Sequence, residues 1–289
     1  MAATLGNTGS LLRAQGKLAD ALAHYRQTLD LSNQAGHRSS AALAWQAIGL
    51  VLADQGDLSG AQKMFQEALA IQQDLGEKSN YAETLRGLGQ ATMQQGDLQK
   101  ARQLLDQALS AQQTLGEMGT AADTRLALAE LDCDSGHPDE AEPLARAALQ
   151  VFQTQKEADG EIFAAALLSR SHLEQGKLEE AAQSLDGALK LEKKGSDITA
   201  RLSLDLAYAN VLAEKKDLDA AERVARKVLA EAPKDLLRVR LEAEVTVARI
   251  QARGQNPAEG RRRLQEISRT AREKGFELIA LKASNLASR

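Results

Sequence analysis

A fixed spacing of 40 residues runs through most of the chain and defines four ladders of identical residues. Self-similarity at a period of about 20 to 50 residues indicates a repeat architecture, in which neighbouring units stack to bury a shared core. The ladders are Gly16, Gly56, Gly96, Gly136 and Gly176; Gly36, Gly76 and Gly116; Ala21, Ala61, Ala101, Ala141, Ala181 and Ala221; and Leu29, Leu69, Leu109, Leu149, Leu189 and Leu229.

Apolar residues between the glycines recur at helical spacing. In the second repeat they predict a first helix over about residues 40–54 and a second helix over about residues 58–74. Gly56 suits the left-handed residue that ends the first helix. Asp57, Asp97 and Asp217 stand where the second helix of their repeats needs an N-cap. Each unit is therefore predicted to be a helix, a tight turn and a second helix.

The composition agrees with an all-α fold. Of the 289 residues, 52 are Ala, 4 are Pro and 8 are aromatic. Ala, Leu, Gln, Glu, Lys and Arg are strong helix formers. A sandwich or a barrel would need more β-branched and aromatic residues, so these folds are excluded.

The second repeat resembles the tetratricopeptide repeat (TPR), which has a conserved signature with fixed spacings. The resemblance implies a right-handed α-solenoid of antiparallel helix pairs, a TPR superhelix, over the whole chain. Eight residues of the second repeat match the signature: Trp45, Ile48, Gly49, Leu52, Gly56, Ala61, Phe65 and Ala68.

The implied domain is a single solenoid over residues 1–289, with seven repeats and a terminal helix over residues 276–288. The repeats cover approximately residues 1–37, 38–77, 78–117, 118–157, 158–197, 198–234 and 235–275. The usual TPR has about 34 residues. The longer period is similar to that of kinesin light chains, large bacterial transcription activators and the tails of bacterial serine/threonine kinases.

Membrane and secretory features are not found. No stretch approaches the roughly 18 consecutive apolar residues of a membrane-spanning helix. The first residues lack the basic start and apolar run of a signal peptide. A single cysteine, Cys133, excludes an internal disulfide framework. We therefore expect a cytoplasmic location and no membrane partner.

No constellation of residues predicts catalysis. Residues 132–137 combine Asp, Cys and His, but Pro143 stands where a calcium loop needs its bidentate glutamate. The four histidines lack the i, i+4 partner of an HExxH zinc site. We expect neither a bound metal nor a cofactor, and we expect that the protein is not an enzyme.

Charge is distributed unevenly along the chain. Residues 1–222 hold 20 Lys and Arg against 32 Asp and Glu, whereas residues 223–289 hold 16 against 8. Arg261, Arg262 and Arg263 make the last repeat basic, but Phe276 is the only aromatic residue near them. A nucleic-acid site would usually add stacking aromatics. A solvated basic face, or one that meets an acidic domain, is favoured over nucleic-acid binding.

The resemblance places partner binding on the concave face, which in TPRs takes the second, fifth, ninth, twelfth and thirteenth positions of the repeat. The pairing of Lys and Asn with which chaperone-binding TPRs clamp a terminal carboxylate is not found here. The candidate partner-binding residues are Gln46, Leu50, Asp54, Glu83, Arg86, Gln90, Asp123, Glu130, Asp134, Arg170, Glu174, Asn210, Glu214, Arg249 and Arg253.

A carboxylate recurs in the last turn of the first helix, where the helix dipole disfavours it by about 0.3–1 kcal/mol. The four repeats concerned carry Asp54, Asp134, Glu174 and Glu214. Two explanations remain open. Amides at the start of the following helix offset the cost, or the column belongs to an acidic track for a basic peptide, continued by Glu83, Asp123 and Glu130.

Two functions are compatible with this sequence. One is a non-catalytic scaffold that binds a protein or peptide on its concave face. The other is a ligand- or peptide-sensing regulatory region of a larger bacterial signalling protein. The ends leave a further choice: an excised segment of a longer array, for which end-to-end self-association is expected, or a natural end capped by residues 276–288.

Overall fold

The computed structural model describes residues 2–191, 197–254 and 256–288, and in these ranges the chain is helical without strands. The first helices of the pairs are α1 (Ala2–Ala14), α3 (Arg38–Gln55), α5 (Lys78–Gln94), α7 (Met118–Asp134), α9 (Ala158–Glu174), α12 (Ile198–Glu214), α14 (Leu237–Arg253) and α16 (Glu277–Ala287). The second helices are α2 (Leu18–Gln34), α4 (Leu58–Leu75), α6 (Leu98–Leu115), α8 (Pro138–Gln155), α10 (Leu178–Asp186) with α11 (Ala188–Leu191), α13 (Leu218–Glu231) and α15 (Pro257–Glu273). The predicted all-α solenoid of helix pairs is confirmed.

The turn inside each pair follows the predicted chemistry. Gly56 ends α3 in the left-handed conformation, with φ of 88°. The carboxylate of Asp57 then caps α4 by accepting a 2.8 Å hydrogen bond from the amide of Gly60. Asp97 and Asp217 cap α6 and α13 in the same way. The predicted N-caps are therefore confirmed.

Small residues hold the two helices of a pair in close contact. Ala61 is fully buried in α4. A Cβ atom on Gly49 of α3 would lie 2.7 Å from the ring of Phe65, so even alanine is too large there without movement of the ring. The recurring small residues therefore set the distance between the helices.

Ala61→Leu is expected to lower the free energy of unfolding by about 1–3 kcal/mol, because the larger side chain overpacks this contact. Denaturant-induced unfolding measures the change. The matched control is Ala70→Leu, at an exposed position of the same helix. Equal midpoints for the two variants would contradict the assignment of Ala61 to the helix contact.

The late helices return to the first repeats and close the superhelix on itself. Gly16 lies against Pro233, and Gly56 lies against Leu237 and Phe276. One core cluster joins Leu18 to Leu236, and another joins Leu58 to Phe276. This contact between the early turns and the loops before the late helices, which we name the closure contact, was not predicted from the sequence.

The equivalent leucines of other repeats show what the closure contact covers. Leu18 and Leu58, which begin α2 and α4, are 1% and 3% exposed. Leu178 and Leu218, at the same position of later repeats, are only half-buried. The difference arises because the closure contact covers Leu18 and Leu58, whereas Leu178 and Leu218 lie outside it.

Phe276→Ala is expected to lower the free energy of unfolding by about 3–5 kcal/mol, because this ring is fully buried. The variant is also expected to increase the radius of gyration in small-angle scattering, since the closure contact loses its largest side chain. Phe163→Ala, at a half-buried position of α9 outside this contact, is the control. An unchanged radius in Phe276→Ala would show that closure does not depend on this ring.

Polar side chains also connect successive repeats. They join the second helix of one repeat to the first helix of the next. The pairs are Gln62 with Thr92, Arg102 with Asp132, Glu142 with His172, and Glu222 with Gln251.

Glu142 has the densest set of partners in this series. It accepts hydrogen bonds from Arg146 at 2.8 Å, Lys177 at 3.0 Å and Gln175 at 3.2 Å. The hydrogen bonds from Arg146 and Lys177, followed by those from Gln175 and His172, lower the pKa of Glu142 to about 2. These bonds favour the ionised carboxylate.

The lowered pKa of Glu142 predicts an acid-dependent loss of stability. Its contribution is complete above the ordinary value of 4.5 and is lost as the pH falls from 4.5 towards about 2. Because these groups are partly solvated, the loss is expected to be about 1 kcal/mol. Denaturant unfolding at about pH 5 and about pH 3 should show a smaller decrease for Glu142→Gln than for the wild type. Glu67→Gln, at an exposed position of α4, should behave as the wild type.

Within the described ranges, no helix combines the length and the apolar character that a membrane crossing requires.

Candidate functional site

Charged side chains of the first helices meet in the interior of the closed superhelix, which we name the lumen. Four ion pairs between different first helices define it, and all their members are partly exposed to solvent. The pairs are Arg13 with Asp54, Asp134 with Arg170, Glu130 with Arg238, and Glu214 with Arg253.

These ion pairs account for the recurring carboxylates at the ends of the first helices. Asp54 accepts a 2.7 Å hydrogen bond from Arg13. Arg170 donates at 2.5 Å to Asp134 and at 2.8 Å to Glu174. The pairing of Glu214 with Arg253 lowers the pKa of that glutamate. The offset to the helix dipole thus comes from arginines, which differs from both explanations offered by the sequence.

One ion pair connects parts of the chain that are far apart in sequence. The Nη1 of Arg238 on α14 donates to Oε1 of Glu130 on α7 at 2.8 Å, across 108 residues. The carboxylate of Glu242 lies 3.8 Å from the same guanidinium. Burial, together with the nearby Asp134 and Glu242, raises the pKa of Glu130, although Arg238 opposes the shift. The carboxylates of Glu130 and Glu242 therefore both lie close to Arg238.

A lysine that was not predicted from the sequence also belongs to the lumen. Lys282 on α16 is exposed, yet Arg170, Asp134, Glu242 and Glu174 all act on it electrostatically. The positive charge of Arg170 is the main cause of the lowered pKa of Lys282. Lys282 was not predicted because no concave-face position was assigned to the terminal helix, which continues the series of first helices.

A second group of predicted residues lies together on α5 and α7. Arg86 donates to Gln90 at 3.4 Å, and its guanidinium lies 3.8 Å from Glu83. Burial raises the pKa of Asp123, with Arg86 opposing the shift and Glu83 adding to it. The carboxylates of Glu83 and Asp123 thus both interact electrostatically with the guanidinium of Arg86 in this part of the lumen.

Other predicted residues have different environments. Gln46 is 6% exposed, so its amide offers little surface to a partner. Leu50 is half-buried against the apolar cluster around Phe65. Asn210 accepts a 2.5 Å hydrogen bond from Arg249, which ties these two predicted residues to each other.

The segment 132–137 does not converge on one site. Asp132 is buried and pairs with Arg102, whereas Asp134 pairs with Arg170 in the lumen. Cys133 packs in an apolar cluster, and burial raises the pKa of its thiol to about 12, so the reactive thiolate is disfavoured at neutral pH. Over the residues that the structure describes, no group of three or more His, Cys, Asp or Glu is placed to hold a metal ion.

Comparison with known proteins identifies the repeats. A family model described as the MalT-like TPR region matches residues 40–286, and one described as the tetratricopeptide repeat matches residues 1–74. No match is found among curated protein sequences.

Solved structures resemble this chain in fold. A Rap conjugation gene regulator of a plasmid, in complex with a Phr peptide, has a TM-score of 0.74 at 15% identity, covering 97% of this chain and 73% of its own. A Rap protein complexed with competence and sporulation factor has a TM-score of 0.68 at 16% identity, with 93% and 75% covered. A signal transduction ATPase with numerous domains (STAND) and a TPR sensor, from Pyrococcus horikoshii, has a TM-score of 0.61 at 15% identity, with 100% and 44% covered. At these identities the similarity concerns the fold alone.

Proposed function

Because the chain belongs to the MalT-like TPR family, we propose that it is a non-catalytic module that binds a charged peptide in its lumen. The observation that carries this proposal is the convergence of charged side chains from eight first helices on one solvent-accessible interior. Charged residues ordinarily face bulk solvent, where a single pair contributes little to stability. Their concentration inside the superhelix provides a site for a partner instead.

The charges of the lumen favour a peptide over an apolar ligand. Arg170 and Lys282 supply cations on one part of the lumen, and Glu83 and Asp123 supply carboxylates on another. An extended peptide carries charges of both signs at fixed spacings and exposes backbone groups that can bond to them. Two of the similar folds were solved with a bound peptide or factor, which supports this class of ligand.

Selection of peptides from a displayed random library, followed by calorimetry, tests the proposal. Selected peptides are expected to bind more weakly as salt rises, because screening acts on the charges that hold them. The double variant Glu83→Lys with Asp123→Lys is expected to weaken binding of basic peptides at least tenfold.

The matched control for this double variant is Glu67→Lys with Asp106→Lys, which makes the same change of charge at exposed positions of α4 and α6. Circular dichroism checks that all variants stay helical. If no selected peptide binds, or if both double variants weaken binding equally, the lumen is not the peptide site.

A second function, the sensing region of a larger signalling protein, is favoured by one comparison. The STAND protein carries a TPR sensor, and this chain covers 44% of that protein. In this function, the bound peptide would alter the closure contact and thereby the position of an attached domain. Small-angle scattering with and without a selected peptide distinguishes the two functions, since a scaffold keeps its radius of gyration and a sensor changes it.

A further inference from the structure

We propose, on the basis of the function above, that Arg238 is an internal substitute for a cationic group of the ligand. In the free protein its guanidinium forms an ion pair with the carboxylate of Glu130 across the lumen. A ligand with a guanidinium or ammonium group takes its place. Glu130 is then the residue that selects a basic side chain of the ligand, and Arg238 competes with that side chain for the carboxylate.

The place of Arg238 on its helix supports this role. It lies in the first turn of α14, directly after Leu237, where the helix dipole disfavours a cation. Two carboxylates offset this cost: Glu130 on α7, at 2.8 Å from Nη1, and Glu242 on α14 itself, at 3.8 Å. The shorter contact ties Arg238 to the opposite side of the lumen.

The partner carboxylate is also specific to one repeat. Glu130 lies at the ninth repeat position, where the other repeats carry no carboxylate: Leu50, Gln90, Arg170, Asn210 and Arg249. Among the described residues, Arg238 is the one cation within 4.0 Å of Glu130. Asp134 and Glu242 add negative potential at Glu130, which Arg170 opposes. This arrangement is a cation site that the chain fills by itself.

The backbone next to Arg238 is held without the ion pair. The side chain of Leu237 lies against Gly56, and α14 shares an apolar cluster with Leu58 and Phe276. The side chain of Arg238 is 30% exposed, so solvent reaches it. A partly exposed ion pair is weakly stabilising. A ligand can therefore displace the guanidinium while the closure contact stays in place.

Opposite effects of two substitutions test the proposal. Both Arg238→Met and Glu130→Gln break the same ion pair. Fluorescence anisotropy with a fluorescein-labelled Arg-Gly-Arg-Gly-Arg peptide is expected to show at least fivefold tighter binding to Arg238→Met, because the competitor is removed. Binding to Glu130→Gln is expected to be at least tenfold weaker, because the carboxylate is removed.

Arg226→Met is the matched control, since it breaks an exposed pair with Glu222 on α13 and should leave binding unchanged. Should Arg238→Met reduce the melting temperature, Arg238→Gln repeats the measurement with a polar side chain retained. Weaker or unchanged binding in both Arg238 variants would overturn the proposal.

The outcomes also separate this inference from the proposed function. If library-selected peptides bind the wild type, Arg238→Met and Glu130→Gln with equal affinity, the substitute role of Arg238 is wrong and peptide binding remains. If neither the labelled peptide nor any selected peptide binds the wild type or either variant, the proposed function itself fails.

Discussion

The closure contact is the interaction on which the rest of this structure depends. Repeats of a solenoid generally contact only their neighbours, so an open array has no interior. Here Pro233, Leu237 and Phe276 pack onto the turns at Gly16 and Gly56. The left-handed conformation of these turns favours glycine, which also leaves room for the incoming side chains. A residue suited to ending a helix thus also permits the late repeats to approach.

The local structure could be predicted from the sequence because it depends on interactions within about 40 residues. Glycine at the turn, aspartate at the N-cap and small residues between paired helices act inside one repeat, and Asp57 and Ala61 occupy the predicted places. Each repeat also gives the same signal again, so that a weak local preference becomes a clear pattern.

The closure contact could not be predicted because it depends on the rotation between repeats, which accumulates along the superhelix. A signal was nevertheless present in the loops between repeats. The residues that begin the first helices are polar early in the chain, as at Glu77 and Lys78, and apolar late in it, as at Leu236 and Leu237. The ion pairs of the lumen were missed for a related reason. Their members stand 36 to 108 residues apart. A comparison of equivalent positions in successive repeats does not show which side chains of different repeats come into contact.

The lumen combines two opposing requirements. The apolar closure contact draws the late helices towards the early ones. Ionised groups such as Glu130 and Arg170 oppose this approach, because removing a charge from water is costly unless the charge is fully paired. The charges therefore limit how far the interior can collapse, and the side chains of the ion pairs keep partial exposure. An apolar ligand would remove water from these charged groups without offering them new bonds. A peptide with charges of its own can replace both the lost water and the broken ion pairs. Under the proposed function, selection of a ligand depends first on complementary charge, and shape acts among the ligands that satisfy it.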